Sequence, residues 1–442
     1  MGRRFWRLSN SVITCPVLTA SMHFALLPFG SSGDVFPFIW LGRQLRARGH
    51  RVTIITACVF ENTVRTAGLE VLPLGTHEEF ERFMAHPNLW KLYHGTKMVL
   101  EFAGESAEAH LQAIQSLADG GNRPDVLVAP MTAFGARAAR EKLRIPLVTV
   151  HLQPAAMISA YEVPVLMPGM HHMRKLPLWL RKLLVRAPNP MDRFTAPAIR
   201  RLCGAHAVQA PKSVWWDWTN SPDGVLCLFP EWFARPQPDW PNNLFQWQFP
   251  LEDLAAEQPL DHHLRQFLAA PGKPLVFTPG SANVQAERFF AVALEVTRRL
   301  GLRAVFVTRK LQQVPANLPE TVLPVEYAPF SVLLPHAAAF IHHGGIGTLS
   351  QGLAAAVPQL VMAMAHDQPD NAHRLEQLGA GLGLTKKTFT PTNVTAALDK
   401  LLIDPAFSIA SQKCAQRIAT VRSSDEVVNW LESRPLSPIL PS

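Results

Sequence analysis

The stretch Phe340–Asp370, FIHHGGIGTLSQGLAAAVPQLVMAMAHDQPD, constrains the fold of this 442-residue chain more than any other segment. It begins within an apolar run, Ala337–Ile341, which predicts a buried parallel strand. Two histidines and a glycine pair follow, and a helical pattern takes over at Leu349. A strand that passes through glycines into a helix directs backbone N–H groups at open space, which is typical of phosphate sites. The stretch therefore predicts an α/β unit that binds a phosphate.

This predicted phosphate site has candidate ligands in its sequence. His343 can donate to a phosphate oxygen, and Thr348 can cap the helix while still offering its hydroxyl. The backbone N–H groups would come from the glycines of the turn, Gly344, Gly345 and Gly347.

A second predicted strand, Gln359–Met364, ends in an acid and an amide, Asp367 and Gln368. Such side chains at the carboxyl end of a neighbouring strand suit the hydroxyls of a sugar. They lie about 20 residues beyond the phosphate turn, one βα unit on, as adjacent strands of a doubly wound sheet require. Together the two groups indicate a nucleotide-sugar site.

Each of these residues also has a simpler interpretation. Glycines after a strand often form only a tight turn. His342 and His343 are also consistent with a solvent-exposed pair or half of a metal site, and Asp367 with a helix N-cap. We favour the phosphate interpretation because the strand before the motif and the helix after it supply the required context.

The chain opens with a similar pattern. A strand, Met22–Leu27, runs through FGSSGDVFP into a predicted helix, Val35–Arg48. The loop is GSSGD and not GxGxxG, so the dinucleotide fingerprint is absent, although open α/β sheets bind ligands at this position. Asp34 stands at the turn into the helix, and the local sequence alone favours a role as its N-cap.

Two series of alternating strands and helices predict an α/β protein with two Rossmann-like domains that face each other across a cleft. The predicted strands are Met22–Leu27, Arg51–Thr56, Glu70–Leu74, Asp125–Ala129 and Pro146–Val150 in the first series, and Leu275–Thr278, Arg303–Val307, Val322–Val325, Ala337–Ile341 and Gln359–Met364 in the second.

The predicted division of the chain has five parts. Residues 1–21 form a tail or precede the natural start at Met22. Residues 22–250 form an N-terminal domain that binds the acceptor, and the proline-bounded stretch 251–274 is a linker. Residues 275–415 form a C-terminal domain that binds the nucleotide sugar, and 416–442 are a closing helix and tail.

Composition limits the partners. Hydrophobic residues make up 48% of the chain and charged residues 17%, which suits full cores and argues against long disorder. The formal net charge is +8, but the sequence contains no basic cluster interleaved with stacking aromatics, so no nucleic-acid partner is expected. The five cysteines are scattered, odd in number and without a CxxC pair, which favours a reduced cytoplasmic setting and no zinc.

One basic amphipathic segment, Lys175–Arg186 (KLPLWLRKLLVR), interrupts the first series. Its leucines alternate with arginines and lysines at helical spacing. Three interpretations are equally open: an ordinary surface helix, a helix that lies on an anionic membrane, or a wall of an apolar acceptor pocket.

The motifs resemble those of GT-B glycosyltransferases, the family of UDP-glycosyltransferases, sterol glucosyltransferases and glycopeptide-antibiotic glycosyltransferases. HHGGIGT followed by MAHDQPDN is similar to the donor signature of this family, and GSSGDVFPFIWLGRQLRARGH to its acceptor-side signature. Within the family the chain looks most like the rhamnosyltransferase catalytic subunits of rhamnolipid synthesis, through GDVFPF, MRKLP, SPDGVLCLFPEWFA and LVFTPGS. The resemblance spans about Met22–Leu402.

The resemblance implies a role for each candidate residue. The residues that would bind the diphosphate are Ser281, His343, Gly344, Gly345, Gly347 and Thr348. Asp367 and Gln368 would hold the sugar, and the backbone around Tyr327–Phe330 would meet the base. Asp34 stands where family members place the general base, and this moves our interpretation from helix cap to base.

The implied activity is an inverting transfer of a hexose or deoxyhexose from a UDP- or dTDP-sugar to a hydroxyl of a hydrophobic or lipid-like acceptor. No metal and no cofactor are expected, because helix N-termini and His343 would neutralise the diphosphate and the loops lack a DxD pair. The expected location is the cytoplasm, with peripheral contact at the inner membrane face as a further option. A sugar-nucleotide epimerase on the same fold and a non-catalytic nucleotide-sugar-binding homologue are the alternatives.

Overall fold

A computed structural model describes residues 20–167, 169–187, 189–251, 260–280, 283, 286–420 and 422–434. Most of the predicted tail (1–19), part of the predicted linker (252–259), the candidate ligand Ser281 and the last eight residues (435–442) lie outside the described residues. The division into five parts therefore stays a proposal.

Strands and helices alternate along the described chain. The strands are β1 His23–Leu26, β2 Arg51–Ala57, β3 Glu70–Leu74, β4 Val126–Pro130, β5 Leu147–His151, β6 Val225–Cys227, β7 Leu244–Gln246, β8 Leu275–Thr278, β9 Ala304–Val307, β10 Val322–Val325, β11 Ala339–His342, β12 Gln359–Ala363 and β13 Gly381–Thr385. The α-helices are α1 Ser32–Ala47, α2 Glu61–Thr66, α3 His77–Met84, α4 Leu92–Glu105, α5 Ala107–Asp119, α6 Phe134–Leu143, α7 Leu178–Arg186, α8 Asp192–Ala205, α9 Val214–Asp217, α10 His262–Ala269, α11 Glu287–Leu300, α12 Phe330–Leu333, α13 Ile346–Ala354, α14 Gln368–Gln377, α15 Pro391–Ile403, α16 Pro405–Ala419 and α17 Ser424–Glu432.

The N-terminal sheet is parallel, with seven strands in the described residues in the order β3-β2-β1-β4-β5-β6-β7. The strand order reverses at β1, which pairs with both β2 and β4. At such a reversal the loops leave the sheet in opposite directions and open a crevice at the carboxyl ends. The loop that carries Asp34 leaves β1 at this point.

The C-terminal sheet follows the same plan, with six described parallel strands in the order β10-β9-β8-β11-β12-β13. Its order reverses between β8 and β11, where Ile341 pairs with Phe277 and His342 with Thr278. The HHGG turn leaves β11 at this reversal. The topology therefore brings both glycine loops to the ligand-binding edge of their own sheets.

Apolar strands explain why these sheets form. The central strand residues, such as Phe24, Leu26, Phe277 and Ile341, are wholly buried because helices cover both faces of each sheet. The predicted fold class is confirmed.

The structure also corrects the predicted elements. Helix α1 begins at Ser32 and α13 at Ile346, three residues before the predicted starts in both cases. Strands β6, β7 and β13 were missed. Two of them have only three residues, too few to show an apolar period between prolines.

Candidate active site

A cavity of about 910 Å³ lies between the carboxyl edges of the two sheets. The sequence-predicted residues on its wall are Asp34, His343, Gly345, Gly347, Thr348, Asp367 and Gln368. The structure thus brings together candidates that lie more than 300 positions apart in the sequence. Residues 327–330, where the resemblance places the base, are not among the lining residues in the described part of the chain.

His342 holds the glycine turn together. Its ring is wholly buried, its Nδ1 accepts from the Gly344 N–H at 3.0 Å, and its Nε2 then donates to Gln359 Oε1 at 2.8 Å. Burial lowers the pKa of His342 to about 3, so the ring is neutral. The solvent-exposed interpretation of the pair is therefore wrong, since His342 is a core residue. Within the described residues no group of three or more His, Cys, Asp or Glu side chains is placed to hold a metal ion.

Gly344 serves the turn and lies behind the cavity wall. Its φ is +93°, and a Cβ atom there would lie 2.6 Å from Val361 Cγ1. Its carbonyl accepts from Asn371 Nδ2 at 2.9 Å, which ties the turn to α14. Only glycine fits this conformation and this space.

The first turn of α13 faces the cavity. Gly345 is the N-cap residue and Ile346 begins the helix, so Thr348 lies within the first turn and the predicted capping role of Thr348 is wrong. A side chain at Gly347 would meet no atom within 4 Å in the described residues. Free backbone N–H groups at a helix start with open space before them form an arrangement that suits an anion.

The imidazole ring of His343 lies between Gly280 and Gly345. A Cβ atom on Gly280 would come within 2.6 Å of its ring, and one on Gly345 within 2.5 Å. Its Nδ1 is buried and has no hydrogen-bond partner among the described residues. Burial lowers the pKa of His343 to about 4, so the imidazole is neutral at pH 7.

Among the described residues, Gln368 forms side-chain hydrogen bonds through its oxygen only. Its Oε1 accepts from the backbone N–H groups of Met364 at 2.9 Å and Ala365 at 3.2 Å. The side-chain oxygen therefore fixes the bend after β12, and its NH2 group is what it can offer to a ligand.

Asp367 immediately precedes α14, yet within the described chain its side chain makes no capping hydrogen bond. Its Oδ2 accepts from Asn371 Nδ2 at 2.6 Å instead. Burial, together with the charge of Asp34, raises the pKa of Asp367 to about 7. Asp367 is thus the N-cap residue of α14 by position, as the simpler interpretation has it, but its carboxyl group does not cap the helix in the described residues.

Asp34 lies in the first turn of α1, whose N-cap is Ser31. Its Oδ2 accepts from the Ser31 N–H at 2.8 Å and from Ser31 Oγ at 3.2 Å, the reciprocal arrangement of a capping box. A side chain at Gly30 would come within 2.3 Å of this oxygen. Burial raises the pKa of Asp34 against the lowering effect of these bonds. The carboxylate thus supports the helix and faces the cavity at once.

The N-terminal part of the cavity is aromatic. Phe83 stacks on Phe102 with ring centroids 4.4 Å apart, and Phe29 packs against Phe102 at 5.6 Å. Two buried histidines join this wall. His151 bonds Asn220 Oδ1 at 2.7 Å, and burial lowers the pKa values of His151 and His110 to about 4.

Three cavity residues were missed or underused at the sequence level. His110 lies in a helix with no motif around it. The only signal for it in the sequence is its position on an otherwise apolar face of that helix. His366 stands beside Asp367 in the MAHDQPDN motif and His151 directly follows the predicted strand Pro146–Val150, and no separate role is predicted for either from the sequence. Helix α7, in contrast, contributes no described residue to the wall, so the predicted pocket-wall role of this helix is wrong.

A buried ion pair locks α14 against the N-terminal half. Asp370 is wholly buried and accepts from Arg374 Nε at 2.7 Å and from the Val165 N–H at 2.8 Å. Arg374 also donates to Glu162 Oε1 at 2.8 Å. The helix that begins after Asp367 is therefore fixed relative to both halves.

Comparison with known proteins supports a common assignment for both halves. Residues 24–161 match the glycosyltransferase family 28 N-terminal domain, and residues 303–433 match the erythromycin biosynthesis protein CIII-like C-terminal domain. The chain is 27% identical to the O-mycaminosyltylonolide 6-deoxyallosyltransferase of Streptomyces fradiae, over 93% of this chain and 98% of that protein. It is 24% identical to UDP-glucosyltransferase A1 of Starmerella bombicola, over 89% and 88%.

Solved structures agree on the fold. Spinosyn rhamnosyltransferase SpnG complexed with thymidine diphosphate superposes with a TM-score of 0.68 at 20% identity, over 93% of this chain and 100% of that one. The chain is therefore a glycosyltransferase of the GT-B fold.

Proposed function

We propose that this protein is an inverting, metal-independent glycosyltransferase that moves a hexose or deoxyhexose from a UDP- or dTDP-sugar to a hydroxyl of a hydrophobic or lipid-like acceptor. The observation that carries the proposal is the position of Asp34. It faces, from the N-terminal half, the same cavity that His343 and Asp367 line from the C-terminal half. In this position Asp34 would act as a base opposite the donor site.

The donor part rests on the start of α13. Its free N–H groups and His343 would hold the diphosphate, with Thr348 beside them, while Asp367 and the Gln368 amide would hold the sugar. The choice of UDP or dTDP follows the relatives, because one acts as a UDP-glucosyltransferase and a similar structure contains thymidine diphosphate. Ser281 remains part of this proposed set.

The chemistry needs one base and one stabilised leaving group. As the acceptor oxygen attacks the anomeric carbon, the Asp34 carboxylate would take its proton, an effect of about 100-fold to 10,000-fold in rate. The bond to the diphosphate breaks on the opposite face, so a single displacement inverts the anomeric carbon. Oriented N–H groups would stabilise the negative charge of the departing diphosphate. In this arrangement they take the place of a divalent cation.

The acceptor part rests on the aromatic wall around Phe83 and Phe102, which suits an apolar body. A similar solved structure, spinosyn rhamnosyltransferase SpnG, was determined with spinosyn aglycone. We retain the closer likeness to rhamnolipid rhamnosyltransferases as part of this proposal. It favours a deoxyhexose donor and an acyl-chain acceptor.

A peripheral membrane contact in the cytoplasm fits the same acceptor class. Trp179 and Leu183 of α7 are 69% and 63% exposed, Leu184 is exposed beside them, and Lys175 and Arg186 flank this face. An apolar face with basic neighbours suits an anionic lipid surface. No helix in the described residues is both long enough and apolar enough to span a bilayer.

A screen for nucleoside diphosphate release tests the proposal. The full chain would be incubated with UDP-glucose, dTDP-glucose and dTDP-rhamnose, each with and without 3-hydroxyacyl lipids or macrolide aglycones. We expect nucleoside diphosphate to be released, and we expect an amphiphilic hydroxyl compound to speed this release. Conversion of the sugar without release would favour the epimerase, for which the buried His110 and His151 would be the extra groups. Release from none of the donors would contradict the proposal.

A further inference from the structure

His366, immediately before Asp367, has an unusual backbone. Its φ is +59°, a left-handed conformation that is uncommon for a residue with a side chain. Such conformations persist where surrounding contacts hold them, and they concentrate at functional sites. The contacts of the His366 side chain therefore need an explanation.

The imidazole of His366 reaches across the cleft to the N-terminal half. Its Nε2 lies 3.2 Å from the backbone carbonyl of Leu89, and its ring meets Trp90 edge-on with centroids 5.7 Å apart. A carbonyl only accepts, so Nε2 is the donor. Burial lowers the pKa of His366, and the ring donates as a neutral imidazole.

The loop that receives His366 is docked on the other half. Trp90 packs against the C-terminal core cluster that contains Met364. Gly95 permits the approach, because a Cβ atom there would lie 2.0 Å from the Leu89 oxygen and 3.3 Å from the His366 ring. Close packing of this kind has one arrangement in which both partners fit.

This same loop joins the two helices that wall the acceptor part of the cavity. Helix α3 ends at Met84 and α4 begins at Leu92, and they contribute Phe83 and Phe102 to the aromatic wall. A shift of the loop would move this wall. Because His366 is bonded to Asp367 through one peptide, the same shift would also move the carboxyl group on the donor side.

We propose that His366 is a positioning residue that links the acceptor wall to Asp367 through Leu89 and Trp90. The ligand part of this inference rests on the proposed function. Donor and acceptor would then each favour the docked position of the same loop. Binding of one would therefore raise the affinity for the other, since such coupling is reciprocal.

Amide hydrogen exchange of the ligand-free full chain tests the contact itself. His366→Asn tolerates the left-handed backbone but is too short to reach Leu89, and His366→Gly relieves the strain entirely. Both variants should raise exchange in residues 86–92 by about threefold to tenfold, the range expected for one lost hydrogen bond. Ala356→Gly, a control at φ +58° on the far side of α13, should leave it unchanged. Unaltered exchange in 86–92 in both His366 variants would overturn the link.

Kinetics test the positioning role separately. If His366 positions Asp367, His366→Asn should keep a melting temperature close to that of the parent, and both variants should keep the parental affinity for UDP and dTDP, which lack the sugar. Their kcat with a nucleotide sugar should fall by about threefold to tenfold, with a rise in donor KM. If the variants instead lose melting temperature and affinity for UDP and dTDP along with kcat, the role of His366 is purely structural. A parent without activity but with the expected exchange difference would contradict the proposed function and leave the contact standing.

Discussion

Burial, together with the charge of the Asp34 carboxylate in the opposite half of the molecule, raises the pKa of Asp367 to about 7. One group lies in the first turn of α1 and the other precedes α14, and both line the same cavity. A buried carboxyl group that faces a like charge retains its proton toward neutral pH. A bound sugar with hydroxyl donors would relieve the repulsion.

The raised pKa of Asp367 predicts a specific dependence of stability on pH. The folded protein keeps a proton that the unfolded chain releases, between the ordinary pKa of 3.8 and about 7. This contribution to the free energy of unfolding is therefore present below about pH 4 and is lost as the pH rises through about 7. Asp367→Asn has no such proton, and its side-chain oxygen can still accept from Asn371.

We expect the melting temperature of Asp367→Asn, measured against the parent by circular dichroism, to improve by about 2 °C or more between about pH 5 and about pH 8. A difference that stays constant across this range would show that Asp367 titrates at its ordinary pKa.

His343→Ala should weaken nucleotide binding. A hydrogen bond to a charged phosphate contributes about 1.5–3 kcal/mol, so the Kd for UDP or dTDP by calorimetry should rise by about 10-fold to 100-fold. A bound anion also raises the pKa of His343 from about 4, and parental affinity should therefore increase toward acid pH while that of the variant does not. His336→Ala, an exposed histidine, is the control. Equal affinities in His343→Ala and the parent would remove His343 from the donor site.

Turnover should survive EDTA. The start of α13 and His343 provide the donors for the diphosphate, so the proposed mechanism has no step that requires a metal ion. Nucleoside diphosphate release would be compared before and after EDTA treatment and after addition of Mg²⁺ or Mn²⁺. Strict dependence on an added cation would contradict this part of the account.

Helix α7 should bind anionic vesicles. We expect the parent to sediment with phosphatidylcholine–phosphatidylglycerol vesicles at low salt, less so at high salt, and Trp179→Ala or Leu183→Ser to weaken this clearly. Ile403→Ser is the matched control, since Ile403 is 79% exposed on α15. Binding that is the same in the parent and both α7 variants would make α7 an ordinary surface helix.

The sequence was sufficient for the parts of the fold that depend on apolar runs and glycine turns. Strands such as β1 and β11 are buried on both faces and are therefore continuous in apolar residues. The same patterns placed Asp34 at the start of the helix after β1 and His343 directly after β11, and the parallel order brought both to one cleft. The fold class followed from these patterns and the enzyme class from the resemblance of the motifs to a known family, and both are confirmed.

The remainder depends on contacts between distant residues, which no local pattern contains. The sequence left His342 open as part of an exposed pair or of a metal site, and it is a core residue whose ring donates to Gln359. Gln368 stays a proposed sugar ligand, and only the fold shows that its oxygen accepts from its own loop, which leaves its NH2 group for the sugar. His366, which has a left-handed backbone, contacts the carbonyl of Leu89, a residue 277 positions away.

The most direct test of the central claim is the turnover of Asp34→Asn. Asn keeps an oxygen for the Ser31 N–H, so the melting temperature should remain close to that of the parent, as for the capping control Asp404→Asn on α16. Asn cannot accept the proton of the acceptor hydroxyl, and kcat should fall by about 100-fold to 10,000-fold while donor affinity is retained. A folded Asp34→Asn protein that releases nucleoside diphosphate at the parental rate would contradict the assignment of Asp34 as the base.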